Sequence, residues 1–152
     1  MPPRESGQAA PPNSVRTTLQ LTHNAAFAIL RGCIVRAEEL KAPVNIVIAS
    51  SEGRIIASFA MDDSYFLSME TATHKALTAA SHRIDTRYLP EAIAKDLAIA
   101  SGGKITSMAG GIPIWVGGLC VGGVGIGGAS DEEDIDIAVC GITQVEGLQV
   151  EA

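Results

Sequence analysis

Between Thr22 and Leu40 the apolar residues Ala26, Ile29, Leu30, Cys33 and Ala37 recur three or four positions apart, the period of one helix face, and Pro43 stops the pattern. Val44–Ala49 and Arg54–Met61 are rich in Val and Ile and flank Ser50-Ser51-Glu52-Gly53, a turn composition, so they predict a β-hairpin. After the capping candidates Asp62, Asp63 and Ser64, a second helix is predicted to about His82. Its expected core stripe is Phe66, Met69, Thr73, Ala76, Leu77 and Ala80. Pro90 opens a shorter helix to about Ala100. Ser130 and Glu133 have the spacing of a capping box and start a last helix through Ile135 and Val139.

The stretch from Ile105 to Ser130 carries no charge and has the length of a membrane span, but nine glycines and Pro113 would weaken any helix there. Gly117-Gly118 between two apolar runs is instead a hairpin signal, and the stretch reads as buried strands. The order becomes helix, two strands, two helices, three strands, helix. Hairpin-type connections make this an α+β (α/β) fold, with an antiparallel five-stranded sheet flanked by helices. Residues 1–16, polar and Pro-rich without an apolar signal core, read as a disordered tail ahead of a single domain at 17–152.

With 152 residues and 47% apolar content, one core can form without metal or disulfide staples. Eleven Lys and Arg against 17 Asp and Glu give a net charge of −6, the wrong sign for a phosphate backbone or an anionic membrane. Nucleic acid and membrane are therefore not expected partners. Cys33, Cys120 and Cys140 are widely spaced in apolar surroundings and read as buried thiols of a cytoplasmic protein.

Gly123-Val-Gly125-Ile-Gly127-Gly128 matches GxGxxG, but Asp131–Asp134 follow where a pyrophosphate would need positive potential. These glycines are read as sites of close backbone approach. On the second helix, Ser64, Thr71, Lys75, Thr78 and His82 fall opposite the expected core stripe. Such a face is either solvated or lines a pocket, in which Lys75 binds a carboxylate or serves as a base. His74 or His82 could ligate a metal or haem iron as a neutral imidazole. No HxxxH, HExxH or GxSxG occurs.

The turn ending in Gly53, Met61-Asp62, Lys75-Ala76-Leu77-Thr78-Ala79, Gly110-Gly111-Ile112-Pro113-Ile114 and Gly128-Ala129-Ser130 before Glu133-Asp134 together resemble the GlcG/HbpS-like (haem-binding, haem-degrading) family, over roughly Leu19 to Gly141. The resemblance implies a profilin- or roadblock-like sandwich, commonly a homo-oligomer, with the lysine helix and the GGIPI loop near a pocket. The residues it marks for a small-molecule ligand are Met61, Asp62, Thr71, His74, Lys75, Thr78, His82, Gly110, Gly111 and Pro113, and haem is the cofactor it suggests. Three positions depart from the family pattern: Ser50 where an aspartate is common, Ala60 where an arginine is usual, and Gly127 for a serine.

Three readings follow. The first is binding of haem or a related tetrapyrrole. The second is a cofactor-independent lyase or isomerase of a catabolic pathway acting on a small carboxylate or aromatic acid, with Lys75 as base or anchor and the amides at Gly110-Gly111 holding an oxyanion. The third is a non-catalytic accessory subunit.

Overall fold

The computed structural model describes residues 13–152. The expected tail therefore lies outside the described residues up to position 12; residues 13–20 are exposed and without regular structure. The elements that follow are α1 (His23–Leu40), β1 (Asn45–Ser50), β2 (Ile55–Ala60), α2 (Ser68–His82), a 3-10 turn (Thr86–Tyr88), α3 (Glu91–Ala100), β3 (Gly111–Val116), β4 (Leu119–Gly127) and α4 (Asp131–Thr143).

The strands form one antiparallel sheet in the order β2-β1-β4-β3. It has four strands rather than the expected five. Of the three strands expected within Ile105–Ser130 only two form; ahead of them Ile105 donates its amide to the Ser101 hydroxyl at 3.0 Å and Thr106 to the Thr78 hydroxyl at 3.0 Å. Amides engaged in this way are not available for a ladder.

The local signals act as expected at several ends. Thr22 caps α1 through a 3.1 Å bond from the Ala25 amide, and Ser130 and Glu133 complete a reciprocal capping box on α4. Gly117 and Gly118 both take positive φ, 54° and 79°, as a two-residue hairpin turn demands.

The layers are α2 on one face of the sheet and α1 with α4 on the other. The larger core lies on the second face, where Ile29 and Cys33 of α1 and Ile137 and Ile142 of α4 pack on Ile46, Ile48, Val124 and Ile126. Each fully buried Ile there contributes about 1.5–3 kcal/mol. On the first face the smaller core is Val47 and Ala49 against Ala72 and Ala76.

That thin core follows from the glycines of β4. A Cβ on Gly123 would stand 2.6 Å from the Ala76 carbonyl oxygen, one on Gly127 2.7 Å from that of Ser68, and one on Gly125 would overlap the Ala72 carbonyl. The backbone of α2 thus rests directly on the backbone of β4, and the GxGxxG pattern is a helix seat. The expected orientation of α2 holds in part: Ala76 and Ala80 of the expected stripe are buried and Met69 and Leu77 pack half-buried against the smaller core, but Lys75 and Thr78, from the face read as polar, are buried as well. The residues it buries are Ala72, Lys75, Ala76, Thr78, Ala79 and Ala80, whereas Phe66, expected in the core, precedes the helix and is 84% exposed. A seat built from glycine leaves space for alanine but not for phenylalanine. No helix of the described residues is long and apolar enough to cross a membrane.

Candidate functional site

Lys75 lies midway along α2 and is 3% exposed. Its ammonium donates to the Ile126 carbonyl at 2.7 Å and to Asp134 Oδ2 at 2.9 Å. Asp134, in the first turn of α4, is 2% exposed, and its second oxygen accepts from the Ala129 amide at 3.2 Å. A buried ion pair therefore ties α2, on one face of the sheet, to α4 on the other, past the end of β4. Burial holds the Asp134 carboxyl above its ordinary range, while the Lys75 hydrogen bond and charge pull the other way.

Gly110 and Gly111 close the surroundings of this pair. Gly110 has φ 105°, and a Cβ there would stand 3.2 Å from Lys75 Nζ and 2.8 Å from Asp134 Cβ. A Cβ on Gly111 would stand 2.5 Å from both the Lys75 carbonyl oxygen and Thr86 Cγ2. The Gly111 amide donates to Thr86 Oγ1 at 3.0 Å, and that hydroxyl donates onward to the Met108 carbonyl at 2.6 Å. The expectation that Lys75 projects into a pocket, or lies on a solvated face, is corrected here. Its charge is held inside a filled node, and the Gly111 amide that was to hold an oxyanion is already bonded.

The other sequence candidates lie elsewhere. Met61 is half-buried where the chain leaves β2, its carbonyl accepting from Ser64 Oγ at 2.7 Å, and Asp62 is exposed beside it. Thr71 bonds the Ser68 carbonyl at 3.1 Å over Gly127, and Pro113 is buried in β3. His74 is half-buried in mid-helix, and His82, the last residue of α2, is exposed. Only Lys75, Gly110 and Gly111 are brought together, and they form the node. Among the described residues no group of three or more His, Cys, Asp or Glu is placed to hold a metal ion.

Two openings carry more promise. The larger, about 830 Å³, lies at the C-terminal end of α2, bounded by the β1–β2 turn, the start of β4 and the segment at Arg16–Leu19. Leu19, Leu77, Ile105 and Leu119 give it apolar walls, while Arg16, Arg83 and Lys104 supply three cations and Glu52 one anion. Thr78 also lines it, its hydroxyl accepting from the Thr106 amide and donating to the Lys104 carbonyl at 3.3 Å. Cys120 is half-buried in the lining and points its thiol at the Gly122 carbonyl, 3.4 Å away. Burial holds that thiol above its ordinary pKa, against the pull of the Gly122 contact and of Arg83.

The second opening, about 630 Å³, is a shallow groove along α1 and α4 past Phe27, Arg31, Val35 and Cys140. Its basic residues are largely engaged, since Arg36 pairs with Glu39 and Asp136 and Arg31 lies 6.0 Å over the Phe27 ring. Of the residues lining the larger cleft, Thr78 alone was among the ligand candidates read from the sequence. Its cations sit in irregular segments, where no periodic signal marks them.

Comparison with known proteins agrees with this architecture. The corrinoid adenosyltransferase PduO of Citrobacter freundii is 34% identical over 132 residues, which make up 84% of this chain and 39% of that protein. The chain thus spans about two fifths of the length of its PduO relatives. The crystal structure of a PduOC–haem complex superposes with a TM-score of 0.81 at 28% identity, over 88% of this chain and all of that one. The crystal structure of HbpS gives 0.80 at 27% identity, over 91% and 99% of the two chains. Residues 21–143 match the model of the haem-degrading HbpS-like proteins, and the chain belongs to that family.

Proposed function

We propose that this protein binds a haem-type tetrapyrrole in the cleft at the C-terminal end of α2. The observation that carries the reading is the cleft's lining, with apolar walls from Leu19, Leu77, Ile105 and Leu119 and three cations around them. A tetrapyrrole with propionate side chains is a flat apolar body bearing two carboxylates, and this donor set suits it. About 830 Å³ falls within the roughly 300–1,000 Å³ of cofactor-sized pockets. The family membership and the haem-bound PduOC relative support the same ligand class.

Within this reading Arg83 and Lys104 pair with the carboxylates and Leu77 and Leu119 cover the ring. Bound haem would supply an iron able to take a nitrogen donor and a visible absorption band. His82, flanked by the lining residues Ser81 and Arg83, is the nitrogen donor at the cleft's edge. Cys120 is the less suitable iron ligand, because burial keeps its thiol protonated and ligation needs the thiolate. The lyase reading loses its base, since the Lys75 ammonium is bonded to Asp134 and Ile126 rather than open to a substrate.

The test is a hemin titration followed at the Soret band. The native protein should saturate stoichiometrically; His82→Ala should alter the band, and Arg83→Glu or Lys104→Glu should weaken binding roughly 10–100-fold, the worth of a charge-assisted hydrogen bond. His74→Ala should behave as the native chain. A native chain without a saturable band would remove haem, and unchanged binding by all three cleft variants would remove this cleft.

A further inference from the structure

The walls of the larger cleft are not equally fixed. The Lys104 carbonyl accepts from the Thr78 hydroxyl at 3.3 Å, and the Thr106 amide returns to the same hydroxyl at 3.0 Å. Arg83 caps α2 with φ 56°, and Leu77 belongs to the helix itself. Leu119 and Cys120 lie in β4, paired with Val116 and Trp115 of β3. The remaining side, Arg16–Leu19, is built differently.

Residues 13–20 are all exposed and lie in no helix or strand. Among the described residues no hydrogen bond ties their backbone to an element of the fold. Their one side-chain bond, Gln20 to Thr18 at 3.4 Å, stays within the segment. Anchorage begins just behind them, where Leu21 packs half-buried on the larger core and Thr22 caps α1. Within two residues the chain passes from that core to the lining it shares with Leu77 of α2. A segment with so few contacts opens locally at little cost, whereas the strands and helix opposite are held by their ladders.

The charges divide in the same way. Arg83 and Lys104, on the fixed side, match the two carboxylates of a haem-type ligand, and Arg16 is one cation more than those two need. Among the described residues Arg16 forms no salt bridge, although Glu52 lines the same cleft.

We propose that residues 13–20 are a strap that closes the cleft over its ligand, with Arg16 as the latch on a carboxylate already held by Arg83 or Lys104 and Leu19 as an apolar cover. This rests on the cleft taking a carboxylate-bearing tetrapyrrole. With the cleft empty Arg16 has no partner to gain by closing, and the strap exchanges between open and closed positions. A bound carboxylate supplies that partner, and contacts made only in the closed form shift the strap toward it. The consequence falls on release. The strap must open before the ligand leaves, so weakening the latch raises the dissociation rate and leaves the Soret maximum where it is.

Limited trypsin digestion and hemin release test this on the full chain. Without hemin, cleavage after Arg16, read by mass as the loss of residues 1–16, should be fast, and hemin at saturation should slow that cut roughly 10-fold or more. Stopped-flow transfer of hemin to excess apomyoglobin should run roughly 10-fold faster from Arg16→Ala and from Leu19→Ser than from the native chain, with Arg16→Lys close to native. A native chain without a saturable Soret band would overturn the ligand reading and the strap with it. Three results would overturn the strap alone while the band saturates: an Arg16 site that resists trypsin before hemin is added, a cut that hemin leaves unchanged, or release that neither variant speeds.

Discussion

Replacing Lys75 with methionine keeps the length and apolar stem of the side chain and removes its charge. Asp134 Oδ2 then loses its partner at 2% exposure, and the Ile126 carbonyl loses the donor it holds at 2.7 Å. An uncompensated buried charge costs about 3–5 kcal/mol, a large share of the roughly 5–15 kcal/mol by which a domain is stable. At about 2–4 °C per kcal/mol for a chain of this size, Lys75→Met should lower Tm by about 6–20 °C.

The loss should shrink on acidification. Asp134 already sits above its ordinary pKa, and without Lys75 it would sit higher. Below that raised value the folded state takes up a proton that the unfolded chain does not yet bind, so stability contributed by this group rises as pH falls through the window. Adding Asp134→Leu should recover most of the loss, because an apolar pair can replace a buried ion pair at little cost. Urea unfolding at pH 7.5 and pH 5 for the two single variants and the double variant measures all three effects. A loss below about 1 kcal/mol at pH 7.5, or singles whose costs simply add, would refute the ion pair as the tie between α2 and α4.

Gly125→Ala should cost about 3 kcal/mol or more, because its Cβ would overlap the Ala72 carbonyl and stand 2.5 Å from the Ala76 amide nitrogen; Gly103→Ala, with nothing within 4 Å but φ 84°, should cost only about 1–2 kcal/mol. Equal urea midpoints for the two variants would contradict the helix seat. Burial raises the Cys33 thiol to about 12, so the unfolded chain releases this proton near pH 9 while the folded chain keeps it. Stability should therefore fall by about 1.4 kcal/mol per pH unit above pH 9 on account of this group, a slope absent from Cys33→Ala. Cys33 should also resist alkylation in the folded protein, and labelling as fast as that of Cys120 would contradict its burial.

Much of the fold was legible because its signals are local. The α1 period, the Thr22 cap, the Ser130–Glu133 box and the Gly117-Gly118 turn are each written within a few adjacent residues, and each reappears in the structure. The seating of α2 shows where local reading stops. A periodicity argument places Phe66, Met69 and Leu77 inward, yet Phe66 is exposed and the other two are only half-buried against the core, because the surface awaiting this helix is the glycine line of β4, more than 40 positions away in the chain. Only small side chains fit it, and the inward stripe is Ala72, Ala76 and Ala79. The same distance hides the meaning of Lys75. On one helix it is an isolated cation on a polar face, and it becomes a buried residue only when Asp134, 59 positions on, is brought beside it.

Two of the four acidic positions that argued against a pyrophosphate-binding GxGxxG thus have structural uses. Glu133 completes the helix cap and Asp134 anchors the lysine, both within the first turn of α4. The charged pair at the node locks three layers together, and for that reason the proposed function assigns ligand recognition to the loop cations around the cleft at the far end of α2.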